Sequence, residues 1–207
     1  MFTETLYPKT KQVLTILETF PITKSFYLAG GTALALHLGH RKSSDLDWFT
    51  ADYPSNNELL KVLKPLHPTI TETAPTSLNL LIDTIKVTFW DYDYPLLQAS
   101  EQFENIKLAS VIDIACMKIT AISSRSSKKD FVDLYAVLQD FSLSDLLHQF
   151  EKKYQSAEYN KIHILKSLTY FADADSDPDP DYMEPINWET VKSFLVAATQ
   201  THFNQAQ

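Results

Sequence analysis

The sequence predicts an α+β protein, a small mixed sheet with early helices followed by a helical C-terminal half. Three observations lead there. The first segment carries apolar residues at helical spacing. Short strand-like runs recur between positions 25 and 90, and from Leu108 onward almost every segment has helical periodicity. Hydrophobic residues make up 44% of the 207, enough for a sizeable core. The expected division is a core over 1–107 and a helical region over 108–207 packed on it.

The elements follow in order. Val13, Leu14, Leu17 and Phe20 place a helix over about Leu6–Phe20, ended by Pro21. Ser25–Ala29 reads as a short buried strand. Gly30-Gly31 is the turn after it, and Thr32–Leu38 a helix closed by Gly39. Asp45–Phe49 reads as a second strand, and Asn56–Leu63 as a helix stopping before Pro65. Three strands follow, at Thr69–Thr73, Ser77–Ile82 and Ile85–Trp90, the last two joined by an Asp83-Thr84 turn that lacks the usual glycine. Helices are expected at Ser110–Ser124, Lys128–Leu138, Ser144–Tyr154, Ser156–Phe171 and Trp188–Phe203.

Composition excludes several classes. The net charge of −8 argues against a protein that wraps duplex nucleic acid, though a local basic groove remains compatible with it. Cys116 is the lone cysteine, so no internal disulfide or Cys-rich zinc site can form. The start, MFTETLYPKTKQ, lacks a secretory pattern, and no apolar run reaches the roughly 20 residues of a membrane span. A cytoplasmic protein with no membrane association is the expectation. The acidic run Asp173–Asp181 with Glu184 spaces its acids like an EF-hand, but Pro178 stands where that loop needs glycine. It reads as a solvated loop.

The chain has three glycines, Gly30, Gly31 and Gly39, all within ten positions. Glycine serves where backbone turns sharply or meets a ligand closely, so the permissive backbone is concentrated at one place. Beyond it lie Asp45 and Asp47. At i and i+2 of a strand, both carboxylates project to one side while Leu46 enters the core. Two adjacent carboxylates repel one another unless a cation lies between them. Hard oxygen donors suit Mg²⁺, which also takes phosphate oxygens. The glycine turn at a helix N-terminus supplies N–H groups for an anion, and Thr32 adds a hydroxyl. Neither motif is specific alone. Strand, GGT, helix, R-x-S-x-D-L-D and strand together are much more so.

YLAGGTALALHLGHRKSSDLDWF (Tyr27–Phe49) resembles the signature of the AbiEii/AbiGii toxin family of nucleotidyltransferases, within the polymerase β-like superfamily. KITAISSRSSKKDFVDLYAVL (Lys118–Leu138) is similar to the family's later helical motifs, and FADADSDPDP followed by INW extends the likeness to the tail. The resemblance implies the polymerase β-like nucleotidyltransferase fold and Mg²⁺-dependent transfer of a nucleoside monophosphate from an NTP to an acceptor, tRNA being the first candidate. It further implies the toxin half of a toxin–antitoxin or phage-defence pair, with a cognate antitoxin. By motif, Gly30, Gly31 and Thr32 would hold phosphate, Asp45 and Asp47 metal, and Lys118 the nucleotide's phosphates, while Asp130 would be a later carboxylate important for activity. Arg41 is a further candidate for phosphate or acceptor contact.

Many polymerase β-like enzymes carry a third carboxylate on a later strand. The corresponding run here, Ile85–Trp90, has no acid, and Thr88 stands in the expected place; Asp91, Asp93 or Asp130 could substitute. This departure keeps open a nucleotidyltransferase fold retained as a binding or regulatory module. The negative charge keeps open a protein side chain as acceptor.

Several residues also have plainer explanations. Lys118 lies on a helix apolar almost all round and could snorkel. Ser127-x-x-Asp130 fits a helix-capping pattern. His37 reads as a packed core histidine.

Overall fold

A computed structural model describes residues 1–205 of the chain. The chain divides into two compact units, Met1–Ser110 and Val111–Gln207.

The first unit is built on a seven-stranded mixed sheet in the order β3-β4-β5-β2-β1-β7-β6. Its elements are α1 (Pro8–Leu17), β1 (Tyr27–Ala29), α2 (Gly30–Leu38), β2 (Leu46–Thr50), α3 (Asn56–Leu63), β3 (Thr69–Ala74), β4 (Ser77–Ile82), β5 (Ile85–Asp91), β6 (Glu101–Phe103) and β7 (Ile106–Leu108). β1 and β2 are antiparallel, β2 and β5 parallel, and β4 and β5 an antiparallel hairpin. Side chains alternate between the faces of this sheet. One face carries Leu28, Leu46, Trp48, Leu78, Leu80, Val87 and Phe89, all fully buried. Leu14 and Leu17 of α1, Leu34 of α2 and Leu59 and Leu63 of α3 are buried as well. Trp48 stacks on Phe89 at 6.4 Å, and its indole N–H is buried without a hydrogen-bond partner. The opposite face carries Asp47 and Thr88 beside the stacked rings of Tyr27, Phe49 and Trp90.

Local chemistry explains the boundaries. Pro8 opens α1 at a position where its missing N–H costs nothing. Gly39, at φ +69°, closes α2 by donating its N–H to the Ala35 carbonyl at 2.8 Å. Ser55 and Glu58 form a reciprocal capping box on α3. The β4–β5 turn forms without glycine: Asp83 and Thr84 both take positive φ, 45° and 73°, as a type I′ turn demands.

The second unit consists of α4 (Val111–Arg125), α5 (Lys128–Val137), α6 (Leu143–Lys153), α7 (Lys161–Ser167) and α8 (Trp188–Gln205). Ile114, Ile119, Phe131, Leu134, Leu146 and Val191 are fully buried in it. Lys153 and Asp113 form an ion pair at 2.8 Å with both side chains at 0% exposure.

Two expectations are corrected. The helix expected over Ser156–Phe171 shrinks to α7, because Asn160 caps it by accepting the His163 N–H at 3.1 Å. The Asp173–Asp181 run is more than a solvated loop. Asp177 accepts from the Lys128 N–H at 2.9 Å and from the Ser127 hydroxyl at 3.0 Å, while Asp175 accepts from Trp188 and Lys192. The segment thus ties the N-terminal ends of α5 and α8. No described helix is long and apolar enough to cross a membrane.

Candidate active site

The first unit brings the sequence-predicted motif together at the point where β1 passes into α2. Antiparallel pairing places Ala29 opposite Asp47, so the glycine turn begins beside that carboxylate. Gly30 has φ +69°, and a Cβ there would stand 2.6 Å from Asp47 Oδ2. Only glycine accepts both the conformation and the contact. A Cβ on Gly31 would meet the Arg41 guanidinium at 2.3 Å. Arg41, 4% exposed, therefore lies directly over the turn, and its Nη1 donates to the Lys42 carbonyl at 2.9 Å. The two glycines are spaces already filled, one by an acid and one by a base.

Thr32 is 1% exposed, and its hydroxyl hydrogen-bonds Ser43 Oγ at 2.9 Å and the Asp45 carbonyl. That hydroxyl therefore stitches the helix start to the segment bearing the aspartates and is not turned outward toward a phosphate. Asp45 lies just before β2, and Asp47 is its second residue; both are half-buried. Ser44 Oγ donates to Asp45 Oδ1 at 3.3 Å.

Thr88, which stands where the sequence suggests a third carboxylate, lies directly opposite Asp47 in the parallel β2–β5 register. Its hydroxyl donates to Asn79 Oδ1 at 2.9 Å, and Asn79 Nδ2 donates to Glu72 Oε2 at 3.4 Å. A row Glu72–Asn79–Thr88–Asp47 thus crosses four strands on one face. Sequence reading missed Asn79 and Glu72, because cross-strand neighbours leave no mark on linear spacing.

The remaining predicted residues are in the second unit. Lys118, 4% exposed, pairs with Asp130 at 2.8 Å and Asp133 at 2.5 Å. Arg125 Nε reaches Asp130 Oδ2 at 2.7 Å. Snorkelling is thereby excluded for Lys118, whose ammonium ends on two buried carboxylates. The capping role of the Asp130 side chain is also excluded: Ser127 makes no side-chain cap, and the α5 end is closed from afar by Asp177. Burial pushes the Asp130 carboxyl up, but Lys118 and Arg125 together overcome it and hold the group below its ordinary range. Burial drives the Cys116 thiol up to about 12, so this cysteine is a packing residue and not a nucleophile. His37 Nε2 lies 2.9 Å from the Ala109 carbonyl, as a packed histidine should. A cavity of about 240 Å³ in the second unit, lined by His148, Tyr159, Lys161 and His202 among others, contains none of the predicted residues.

Among the described residues no cluster of three or more His, Cys, Asp or Glu side chains is arranged to hold a metal. Asp45 and Asp47 nonetheless fit Mg²⁺ in donor chemistry, since that ion takes one or two carboxylates and completes its shell with water and phosphate oxygens.

The family described as "Nucleotidyl transferase AbiEii toxin, Type IV TA system" matches residues 12–86 and 75–206. An uncharacterized protein of Aquifex aeolicus (strain VF5) is 37% identical over 192 residues, covering 89% of this chain and 91% of its own. Among solved structures, MenT4, a nucleotidyltransferase toxin from Mycobacterium tuberculosis H37Rv, is similar with a TM-score of 0.61 at 14% identity, over 93% of this chain and 84% of that one. JHP933 from Helicobacter pylori gives 0.57 at 16% identity, over 96% and 94%. At these identities the structures speak for the fold, which is the polymerase β-like nucleotidyltransferase fold.

Proposed function

The chain belongs to the AbiEii nucleotidyltransferase toxin family, and from that premise we propose that it transfers a nucleoside monophosphate from an NTP to an acceptor hydroxyl, tRNA first among candidates, as the Mg²⁺-dependent toxin of a toxin–antitoxin or phage-defence system. The observation that supports this reading is the meeting of Asp47 with the Gly30 turn: a carboxylate suited to a metal lies beside the amide end of a helix suited to an anion.

In this reading Asp45 and Asp47 hold the metal, which when bound neutralises the triphosphate. The N–H groups at the start of α2 receive the phosphates. Arg41 lies over the turn as a permanently protonated counter-charge. Thr32 acts mainly by positioning, since its hydroxyl holds the two motif halves together. Lys118 and Asp130 enter this reading by family motif alone; their ion pair, with Asp133 beside it, is a fixed element of the helical unit. The acceptor oxygen bonds to the α-phosphorus as the α–β bridging bond breaks. Pyrophosphate leaves, and the hydroxyl proton passes to water. Catalysis is then positioning and charge neutralisation. Cytoplasmic location and a cognate antitoxin follow from the toxin role.

Incubation with labelled NTPs, Mg²⁺ and total tRNA tests this. The wild type labels RNA, a chelator abolishes the signal, and Asp45→Ala, Asp47→Ala protein labels nothing. Equal labelling by that variant sinks the reading. Thr88 at the third-carboxylate place favours a second reading, a module that binds nucleotide without turnover. Calorimetric NTP binding that persists without metal and without product would favour that alternative.

A further inference from the structure

Two divalent ions held about 3.5–4 Å apart repel one another strongly, and such a pair is stable only where carboxylates offset the charge of both. Asp45 and Asp47 begin a donor set of that kind, and the next place for an acid is on β5, opposite Asp47. Thr88 holds that place. Its side chain is neutral and 1% exposed, and its proton is fixed on Asn79 Oδ1 at 2.9 Å. A buried hydroxyl brings no charge to set against the cost of stripping water from a second ion.

The nearby acids do not fill the gap. Asp91, on the same strand, alternates to the opposite face of the sheet. Asp93 lies beyond the last paired residue of β5. Glu72, the other acid of the row that runs through Thr88, stands three strand spacings from Asp47, about 14 Å at 4.7–4.9 Å each. In the second unit both oxygens of Asp130 are engaged. Oδ1 accepts from Lys118 at 2.8 Å and from Arg125 Nη2 at 2.9 Å, and Oδ2 accepts from Arg125 Nε at 2.7 Å. Among the described residues no third His, Cys, Asp or Glu joins Asp45 and Asp47 in a group arranged for a metal. Two carboxylates, completed by phosphate oxygens and water, suit one Mg²⁺.

We propose that this chain works with a single divalent ion, held together with the NTP by Asp45 and Asp47, and that Thr88 is the residue that excludes a second. The inference rests on the nucleotidyltransferase reading for its nucleotide, but it is read from the number of bound ions and not from transfer. In this arrangement no ion lowers the pKa of the acceptor hydroxyl, and orienting that hydroxyl toward the α-phosphorus is the part left to the protein.

The test is electron paramagnetic resonance of the full chain, in excess over nucleotide, with Mn²⁺ in place of Mg²⁺ and each of the α,β-methylene NTPs in turn, which cannot release pyrophosphate. Wild type is expected to give the spectrum of an isolated protein-bound ion, lost in Asp45→Ala, Asp47→Ala protein. Thr88→Asp puts a carboxylate opposite Asp47 and should convert that spectrum to the exchange-coupled one of a close ion pair. Thr88→Val removes the hydroxyl and should keep the isolated ion at wild-type affinity. A coupled pair in wild type overturns the proposal, as does a folded Thr88→Asp protein that still holds one ion, or a Thr88→Val protein that holds none. Should Thr88→Asp not fold by circular dichroism, wild type and Thr88→Val decide. An isolated ion in wild type with no labelled product in the transfer assay leaves the single-ion site standing and ends the transfer reading. A coupled pair with labelled product does the opposite, and no protein-bound ion at all ends both.

Discussion

Asp45 and Asp47 are half-buried at and just before β2, whereas Asp130 and Asp133 are completely buried on α5 and met by Lys118, with Arg125 added on Asp130. Both are closely spaced acid pairs, but they differ in burial. The helical pair is neutralised by the protein's own cations, and its charges are fixed in place. The pair around β2 keeps contact with solvent, beside a turn whose free space is fully used. Burial with compensation makes a group expensive to change. Partial exposure leaves it able to exchange water for a metal ion.

The contrast can be broken by substitution. The largest effect is expected at Asp130→Asn, which leaves Lys118 and Arg125 facing a lost charge in a buried network. Unfolding in urea should show a loss of about 3–5 kcal/mol. A loss below about 1 kcal/mol would mean that the helical pair is as adaptable as the other. Asp47→Ala should do the reverse. NMP transfer falls about 10²–10³-fold, while the urea midpoint moves little.

The acid limb of stability sharpens the comparison further. The folded Asp130 carboxyl lies below its ordinary 3.8. Its stabilisation is therefore fully present above that value and drains away as pH falls from about 3.8 toward the folded value. Wild type should lose stability over that acid window more steeply than Asp130→Asn, as read by thermal melts along a pH series. The smallest effect is expected at Asp177→Ala, which opens the α5 end and should cost about 1 kcal/mol. It should leave the half-buried pair untouched, as read by transfer activity equal to that of wild type.

Much of the first unit was legible because its signals are local. Gly30-Gly31, Gly39 and the strand-like run Ile85–Trp90 each report on neighbours in the chain, and β1, α2 and β5 lie where those signals put them. The strands β6 and β7 went unread: three residues each is too short for a period to show, and β7 is held by pairing with β1, some eighty residues earlier. The same limit explains Asp130. Ser127-x-x-Asp130 has the letters of a cap, but Lys118 and Arg125 draw that carboxylate away, and only the three-dimensional fold brings in Asp177. Thr88 lies opposite Asp47, and its link through Asn79 to Glu72 needed the sheet.

Asp177 closes a helix that begins fifty residues before it. During synthesis α5 must therefore wait, its first amide uncovered, until the aspartate-rich stretch has left the ribosome. Shortened versions ending before that stretch should keep the first unit and yet purify with a frayed, protease-sensitive α5, so deletions in this region would report on chain completion before they report on toxicity.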